Sequence, residues 1–139
     1  MPVMKRFRML LRHAWASPCT LAGLPLALAC ILSGASVRLA SGVLEVAGGR
    51  TASWVSRLPR SLRFSVITFG HVILADTDVA LESHREHERV HVRQYERWGI
   101  LFIPLYGGSC LIQLLRGLDP YTDNHFERQA CNAVKHKTG

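Results

Sequence analysis

His84-Arg-Glu-His-Glu-Arg-Val-His-Val-Arg-Gln-Tyr-Glu-Arg-Trp98 is the stretch that decides how this chain folds and what it can bind. Its centre reads His87-Glu88-Arg89-Val90-His91, and residues four positions apart lie one turn from each other on the same face of a helix. Both imidazoles can therefore reach one tetrahedral zinc ion from a rigid backbone. We predict a helix over residues 79–98, preceded by the turn and capping residues Asp76-Thr-Asp78.

Glu88 is placed to act as the base of a hydrolytic site. It is offset from His87 by about 100° on the helical wheel, so it borders the histidine face rather than opposing it. There it can take a proton from zinc-bound water, whose pKa the metal lowers toward neutrality. Gln94 and Tyr95 continue the same face, and arginines follow the opposite side at helical spacing. These are Arg85, Arg89, Arg93 and Arg97.

The same helix has a simpler interpretation as a solvated, charge-rich segment in which the histidines fall together by chance. The arginine ridge is then an ordinary wet face, whereas its alternative role is contact with lipid phosphates. His84, one turn before His87, is expected to be a surface residue or a neighbour of a ligand rather than a ligand.

A catalytic zinc site usually has three protein ligands and a water, so the motif needs a partner. Glu127 is our choice, because a last helix is predicted to begin near Asp123-Asn124 and Ala130 leaves room where two helices approach. His125 is the substitute ligand, and Asp123 is a further candidate. The competing interpretation makes Asn124 a helix N-cap and Glu127 the third position of a capping box.

Two uncharged stretches have the composition of membrane segments. Residues 14–37 carry no charged side chain and follow a basic flank, which predicts a retained membrane anchor within residues 1–47. A cleaved signal peptide is the alternative, because Ser33-Gly-Ala-Ser36 supplies small residues at a plausible cleavage point. In the second stretch, residues 98–115, Pro104 and Gly107-Gly108 predict a bend, so that it is re-entrant or buried and both flanks return to one side.

Composition limits the remaining choices. The chain has 139 residues, of which 48% are hydrophobic, and a formal charge of +7. It can form one compact domain, which we place at residues 48–139, and the positive charge favours anionic lipid over nucleic acid. Residues 65–75 are β-branched and suggest one or two short strands. The predicted fold class is therefore α+β and predominantly helical: membrane helix, short strand or hairpin, active-site helix, bent apolar segment and glutamate helix.

The four cysteines form no C-x-x-C pair and are interpreted as small apolar residues. Cys131 stays open as a residue of the site, because it follows Glu127 by one helical turn.

The pattern His87-Glu88-x-x-His91-x-x-Gln94, followed later by Glu127-x-x-Ala130, resembles the gluzincin zinc metallopeptidases. It is also similar to a group of small bacterial membrane proteins that carry this motif. The resemblance spans residues 70–130 and implies zinc ligation by the two histidines and Glu127, with Glu88 as general base. It further implies an edge strand that aligns a peptide substrate, for which residues 71–75, beginning with His71, are the candidate.

Three functions compete. The first is a zinc metallopeptidase of the bacterial plasma membrane that hydrolyses peptide bonds. The second is a non-catalytic membrane protein that zinc stabilises and that acts as a partner or regulatory subunit. The third is a basic, metal-free module that binds membrane surfaces or nucleic acid through the arginine ridge.

Overall fold

The computed structural model describes residues 2–60 and 63–138. Its helices are α1 (Pro2–Leu32), α2 (Thr51–Ser56), α3 (Asp78–Trp98), α4 (Phe102–Leu115) and α5 (His125–Thr138), with a 3-10 turn at Gly99–Leu101. Its strands are β1 (Ala35–Ala40), β2 (Val43–Gly48), β3 (Val66–Phe69) and β4 (Val72–Ala75). The predicted α+β class with mainly helical content is confirmed, and the sheet is larger than the predicted strand or hairpin.

The four strands form one sheet in the order β1-β2-β4-β3. Two antiparallel hairpins, β1–β2 and β3–β4, are joined through the parallel pairing of β2 with β4. The first hairpin turns at Ser41-Gly42, where both residues have positive φ, as the tight turns of twisted hairpins require. The predicted boundary between residues 47 and 48 falls inside β2, so the first hairpin belongs to the same sheet as the second.

The edge strand differs from the one expected. Residues 71–75 were the candidate for the substrate-aligning edge, but β4 pairs with β2 on one side and β3 on the other. That expectation is wrong, because β4 has both of its edges occupied. β3 is the edge strand at this end of the sheet.

The sheet is the middle of three layers. Successive β4 side chains alternate between its two faces, as in any strand. Val72 and Leu74 pack with Ala27 and Cys30 of α1, whereas Ile73 and Ala75 join the cluster on the α3 side. At the end of the sheet, a third cluster brings α1, α3, α4 and α5 together. It contains Ala16, Cys19, Tyr95, Phe102 and Phe126.

Helix α1 packs through a stripe of small residues. Its buried positions are Ala16, Cys19, Gly23, Ala27 and Cys30, whose spacing of three and four places them on one face. A Cβ on Gly23 would lie 2.7 Å from the Cβ of Phe69, so the helix and sheet approach closely because Gly23 has no side chain. Since α1 covers one face of the sheet, removal of residues 2–32 as a signal peptide would expose half of the core.

Two helical segments are long and apolar enough to cross a membrane, namely Pro2–Leu32 and the α3–α4 stretch Asp78–Leu115. The apolar part of the second is residues 98–115. Its predicted bend is present, but it falls at Gly99, which has a φ of 58°, and not at Pro104 or Gly107-Gly108. Pro104 is tolerated in the first turn of α4, where its missing N–H costs no hydrogen bond.

Helix α4 is mostly exposed rather than buried, with Phe102 as its buried residue. The chain then folds back along it. The Asn124 amide donates to the carbonyl of Tyr106 at 3.1 Å, and the backbone N–H of His125 donates to the Ser109 hydroxyl at 3.0 Å. Helices α3 and α5, which come before and after this apolar segment, therefore lie on the same side of it.

Candidate metal centre

Side chains from α3 and α5 converge at one point. His87 Nε2 lies 2.8 Å from Glu127 Oε2, and His91 Nε2 lies 3.2 Å from Glu127 Oε1. The two histidines are one turn apart on α3, whereas Glu127 stands in the first turn of α5. The helix over residues 79–98 and the glutamate helix are thus positioned so that the three predicted side chains meet.

These groups fit a metal ion. Among the described residues, His87, Glu88 and His91 offer ligand atoms that all lie within 4.8 Å of one another. Ligand atoms around a tetrahedral zinc with bonds of 2.0–2.1 Å lie about 3.4 Å apart, close to the separations between Glu127 and the imidazoles. Two carboxylates are therefore near the histidine pair. Glu127 is the better third ligand, because its two oxygens face the two Nε2 atoms.

Helix α5 has the N-cap that the capping-box interpretation predicts, but Glu127 does not complete the box. Asn124 is completely buried, and its side chain accepts a hydrogen bond from the N–H of Phe126 at 2.9 Å, so it caps the helix. The backbone N–H of Asn124 donates to the carbonyl of Tyr121 instead of to Glu127. In a capping box this N–H would donate to the Glu127 carboxylate. Here the carbonyl of Tyr121 accepts the hydrogen bond, and the Glu127 carboxylate faces the histidines.

Gln94 orients one of the histidines. Its side-chain oxygen lies 2.7 Å from Nδ1 of His91, and its amide donates to the carbonyl of Phe126 at 3.1 Å and to Gln129 at 2.8 Å. A hydrogen bond at Nδ1 fixes the imidazole so that Nε2 faces Glu127. Gln94 therefore both sets the direction of a candidate ligand and ties α3 to α5.

Glu127 and His87 each have one further neighbour to note. The Tyr106 hydroxyl of α4 donates to its Oε1 at 2.7 Å, and Cys131 Sγ lies 3.8 Å from Nδ1 of His87. The contact with Glu127 distinguishes Tyr106 from Tyr95, whose hydroxyl donates to the carbonyl of Thr68.

Charges at the centre shift two pKa values. Burial by itself raises the pKa of Glu127, but hydrogen bonds from His87 and His91 outweigh it and hold the pKa well below its ordinary value. Burial lowers the pKa of His91, yet its hydrogen bond and attraction to Glu127 raise the pKa overall. In the metal-free protein, Glu127 and His91 therefore stabilise each other's charged form.

Glu88 is buried beside the histidines and is held by the sheet. The hydroxyl of Thr68, on edge strand β3, donates to Glu88 Oε2 at 2.6 Å. This contact fixes one carboxylate oxygen of Glu88 and leaves the other available to a neighbouring group. Sequence analysis missed Thr68, because a threonine in a β-branched strand carries no signal of such a role.

A cavity of about 310 Å³ opens beside these groups. Glu88, His91 and Glu127 line its polar end, while Phe102 and Ile103 of α4 are among its apolar walls. All four residues of β3 also line it. The edge strand thus runs along a cavity that contains the candidate metal centre.

Other predicted residues lie elsewhere or act differently. His71 is buried, stacks on His13 with ring centroids 3.9 Å apart, and bonds Glu96 at 3.0 Å, so it does not join the centre. The exposed His84 bonds the carbonyl of Ala80. Neither substitute ligand reaches the histidines: the ring of His125 meets that of Phe126 edge to face, and Asp123 accepts from the N–H of Asp119.

Ala130, the small residue predicted where two helices approach, lies on the helix that packs against α3. Ala130 is completely buried on α5, which packs against α3. A larger side chain there would force the two helices apart, and with them Glu127 from the histidines.

The arginine ridge does not form one uniform surface. Arg85 and Arg89 lie 2.8 and 3.6 Å from the carboxylate of the buried Glu45, on β2, whereas Arg97 lies over the ring of Trp98. The first two arginines therefore fasten α3 to the sheet.

No known protein family matches the chain, and neither a curated protein nor a solved structure matches it. The likeness of its motif to the gluzincins stays a prediction. The geometry of the centre is therefore the basis of the functional proposal.

Proposed function

We propose that this chain is a membrane-associated zinc metallopeptidase. The observation that carries the proposal is the position of Glu127, whose oxygens lie 2.8 and 3.2 Å from the Nε2 atoms of His87 and His91. A histidine pair with a glutamate from a second helix is the ligand set of several catalytic zinc sites. A charge-rich surface helix would have no reason to direct both imidazoles at a buried carboxylate of a second helix.

Each residue has a distinct task in this proposal. His87, His91 and Glu127 hold the ion, which supplies Lewis-acid activation of water and of a peptide carbonyl. Glu88 accepts the proton of the attacking water and afterwards donates it to the leaving amine. Thr68 keeps Glu88 in the orientation needed for this transfer, and Gln94 keeps His91 facing the centre.

The edge strand supports a peptide as the substrate. β3 pairs with β4 along one side and lines the cavity, so an extended peptide could add to the sheet at that edge and pass the centre. The walls formed by Phe102 and Ile103 would accommodate an apolar side chain of the peptide. The exposed apolar surface of α4 beside the cavity favours substrates near a membrane.

A second candidate is a non-catalytic protein that zinc stabilises. The observation that favours it is the small size of the fold, in which the cavity is lined by β3, α3, α4, α5 and the residues next to them. In this case zinc would act by joining α3 to α5 and thereby stabilise the domain.

Two substitutions separate the candidates. The purified wild-type chain should bind one zinc per molecule, measured by elemental analysis, and hydrolyse a library of unstructured peptides read by mass spectrometry. Glu88→Gln should retain zinc and lose hydrolysis by at least about a hundredfold. Glu127→Gln should lose both, because a neutral amide replaces a charged ligand.

Glu82→Gln is the matched control, because this exposed glutamate of α3 lies one and a half turns before the centre. It should leave zinc content and hydrolysis unchanged. If wild type binds zinc but Glu88→Gln cleaves as well as wild type does, the enzymatic proposal fails and the structural one remains. If wild type binds no zinc, both fail.

A further inference from the structure

The beginning of α1 extends beyond the packed core. Residues 2–12 are exposed, and Ala16 is the first residue of the helix that is buried. His13 is half-buried against His71 and marks where the helix meets the folded body. Residues 2–15, which we call the α1 extension, are thus a helical segment that the rest of the described chain leaves mostly exposed.

The α1 extension is amphipathic. At about 100° per residue, Val3, Phe7, Leu10 and Leu11 fall within an arc of roughly 100°, and Met4 and Trp15 widen it to about 140°. These six side chains are between 49% and 77% exposed. Met9 lies on the other side of the helix. Apolar side chains of this size, gathered on one face, are costly to leave in water.

Basic residues border the apolar arc on both sides. Arg8, Arg12 and Lys5 follow one edge, and Arg6 lies beyond the other. Residues 1–32 contain no aspartate or glutamate. The nearest acidic neighbour is Glu96 of α3, 3.9 Å from an Arg12 that is itself largely exposed. The positive charge of the segment is therefore available to an external anionic surface.

An orientation across the bilayer conflicts with the packing of α1. Residues 16–30 are fixed to the sheet through the small-residue stripe, so they cannot enter a hydrocarbon core while the domain stays folded. The 14 residues of the α1 extension span about 21 Å as a helix, less than the roughly 30 Å of that core. Four basic side chains within them would also have to be buried in lipid.

We propose that the α1 extension lies in the plane of an anionic membrane surface, with Val3, Phe7, Leu10 and Leu11 among the acyl chains and its basic residues at the headgroups. Amphipathic helices with leucine and aromatic residues on one face and lysine or arginine beside it bind lipid in this way. The arginine and lysine stems extend along the apolar face to reach the phosphates. This inference concerns the lipid contact alone and holds whether or not the centre hydrolyses peptides.

The test is flotation of the purified full chain with vesicles. Wild type should float with vesicles of phosphatidylglycerol and phosphatidylcholine, float much less with phosphatidylcholine alone, and be released as sodium chloride rises from 50 to 500 mM. Lys5→Glu with Arg8→Glu should weaken binding about 30-fold or more, because two attractive charges become repulsive.

A matched pair of variants tests the orientation. Phe7→Asp places a charge in the apolar arc and should weaken binding at least about tenfold, whereas Met9→Asp makes a similar change on the opposite face and should weaken it far less. Both residues are exposed, so circular dichroism should show the wild-type fold in each variant.

Several results would overturn the proposal. A spanning helix would lose binding equally in Phe7→Asp and Met9→Asp and would not be released by salt. Unchanged flotation of Phe7→Asp would assign the lipid contact to α4. Failure of wild type to float, with concentration-dependent self-association instead, would assign the apolar arc to a second copy of the chain.

Discussion

The hydroxyl of Thr68 donates a 2.6 Å hydrogen bond to Glu88, and so couples the edge strand β3 to the residue we propose as general base. The two residues are 20 positions apart, on separate elements, and both are buried. A peptide that added to β3 would therefore contact the same strand that holds the base. Substrate alignment and proton transfer would both depend on strand β3.

Thr68→Val should slow hydrolysis while zinc stays bound. Valine has nearly the shape of threonine but cannot donate to Glu88, so the carboxylate loses its orientation. A hydrogen bond to a charged group contributes about 1.5–3 kcal/mol, which corresponds to a fall in kcat of about 10- to 100-fold. Steady-state kinetics and elemental analysis on the same samples measure both quantities.

Thr51→Val provides the control for this prediction. Thr51 is buried on α2, and its hydroxyl has no hydrogen-bond partner among the described residues. The same substitution there should leave kcat unchanged. Equal kcat in Thr68→Val and Thr51→Val would show that Thr68 does not position the base.

Gln94→Met should weaken zinc binding about 10- to 100-fold, because it removes the partner of His91 Nδ1 while keeping the length of the side chain. Competition with a zinc chelator of known affinity measures the change. Gln129→Ala is the control, since Gln129 contacts Gln94 but neither histidine. Wild-type affinity in Gln94→Met would exclude an orienting role for this residue.

The stability of the metal-free protein should fall as the pH rises above neutrality. The pKa of His91 is raised above its ordinary 6.5, so the stabilisation that it contributes is complete below that value and is lost as pH rises through the raised pKa. The pKa of Glu127 is lowered, so its contribution is lost only at strongly acidic pH. Thermal unfolding in chelator at pH 6 and pH 9 measures the difference.

Zinc should reverse this trend. The ion needs neutral imidazoles, so its affinity rises with pH as His91 releases its proton. The gain in melting temperature on adding zinc should therefore be larger at pH 8 than at pH 6. Glu127→Gln serves as the reference, and a zinc effect of the same size in that variant would contradict the assigned ligand set.

Glu45→Ala should destabilise the fold by about 2–3 kcal/mol. The Glu45 side chain is completely buried against Arg85 and Arg89, and its loss removes the carboxylate that pairs with both arginines. The expected cost is below that of a fully buried pair because the arginines are partly exposed and regain some hydration. Urea denaturation gives the free energy of unfolding.

Glu86→Ala is the comparison for this prediction. Glu86 also pairs with a cation, Lys137 at 2.7 Å, but both side chains are more than half exposed. The free energy of unfolding should change by no more than about 0.5 kcal/mol. Equal effects of the two substitutions would mean that Glu45 does not fasten α3 to the sheet.

Residue patterns within a few positions were sufficient to predict helix α3, which carries the motif, and helix α5, which carries Glu127. Both depend on residues within a few positions of each other: Thr77 caps α3, Asn124 caps α5, and the histidines share a face because four residues make about one turn. The α+β class was predictable for the same reason. A bend in the apolar segment was also predictable, but its position was not, since it falls at Gly99 and not at Pro104 or Gly107-Gly108.

Pairings between distant residues were not predictable from such patterns. A run of apolar, β-branched residues has the same composition in a central strand and in an edge strand. The sequence therefore predicts β4 as the edge strand, whereas β3 is the edge strand in the structure. His71 begins the segment that the resemblance implies as the substrate-aligning strand, yet its side chain contacts His13 and Glu96.

The amino-acid sequence by itself determined which side chains can bind a metal, because ligand type and helical spacing are local properties. Only the tertiary structure decided that Glu127 meets the histidines, that Thr68 holds Glu88, and that α1 packs as a layer of the core with a free basic end. Those relationships depend on how the faces of α1, the sheet, α3 and α5 bury one another, and burial is a property of the whole fold.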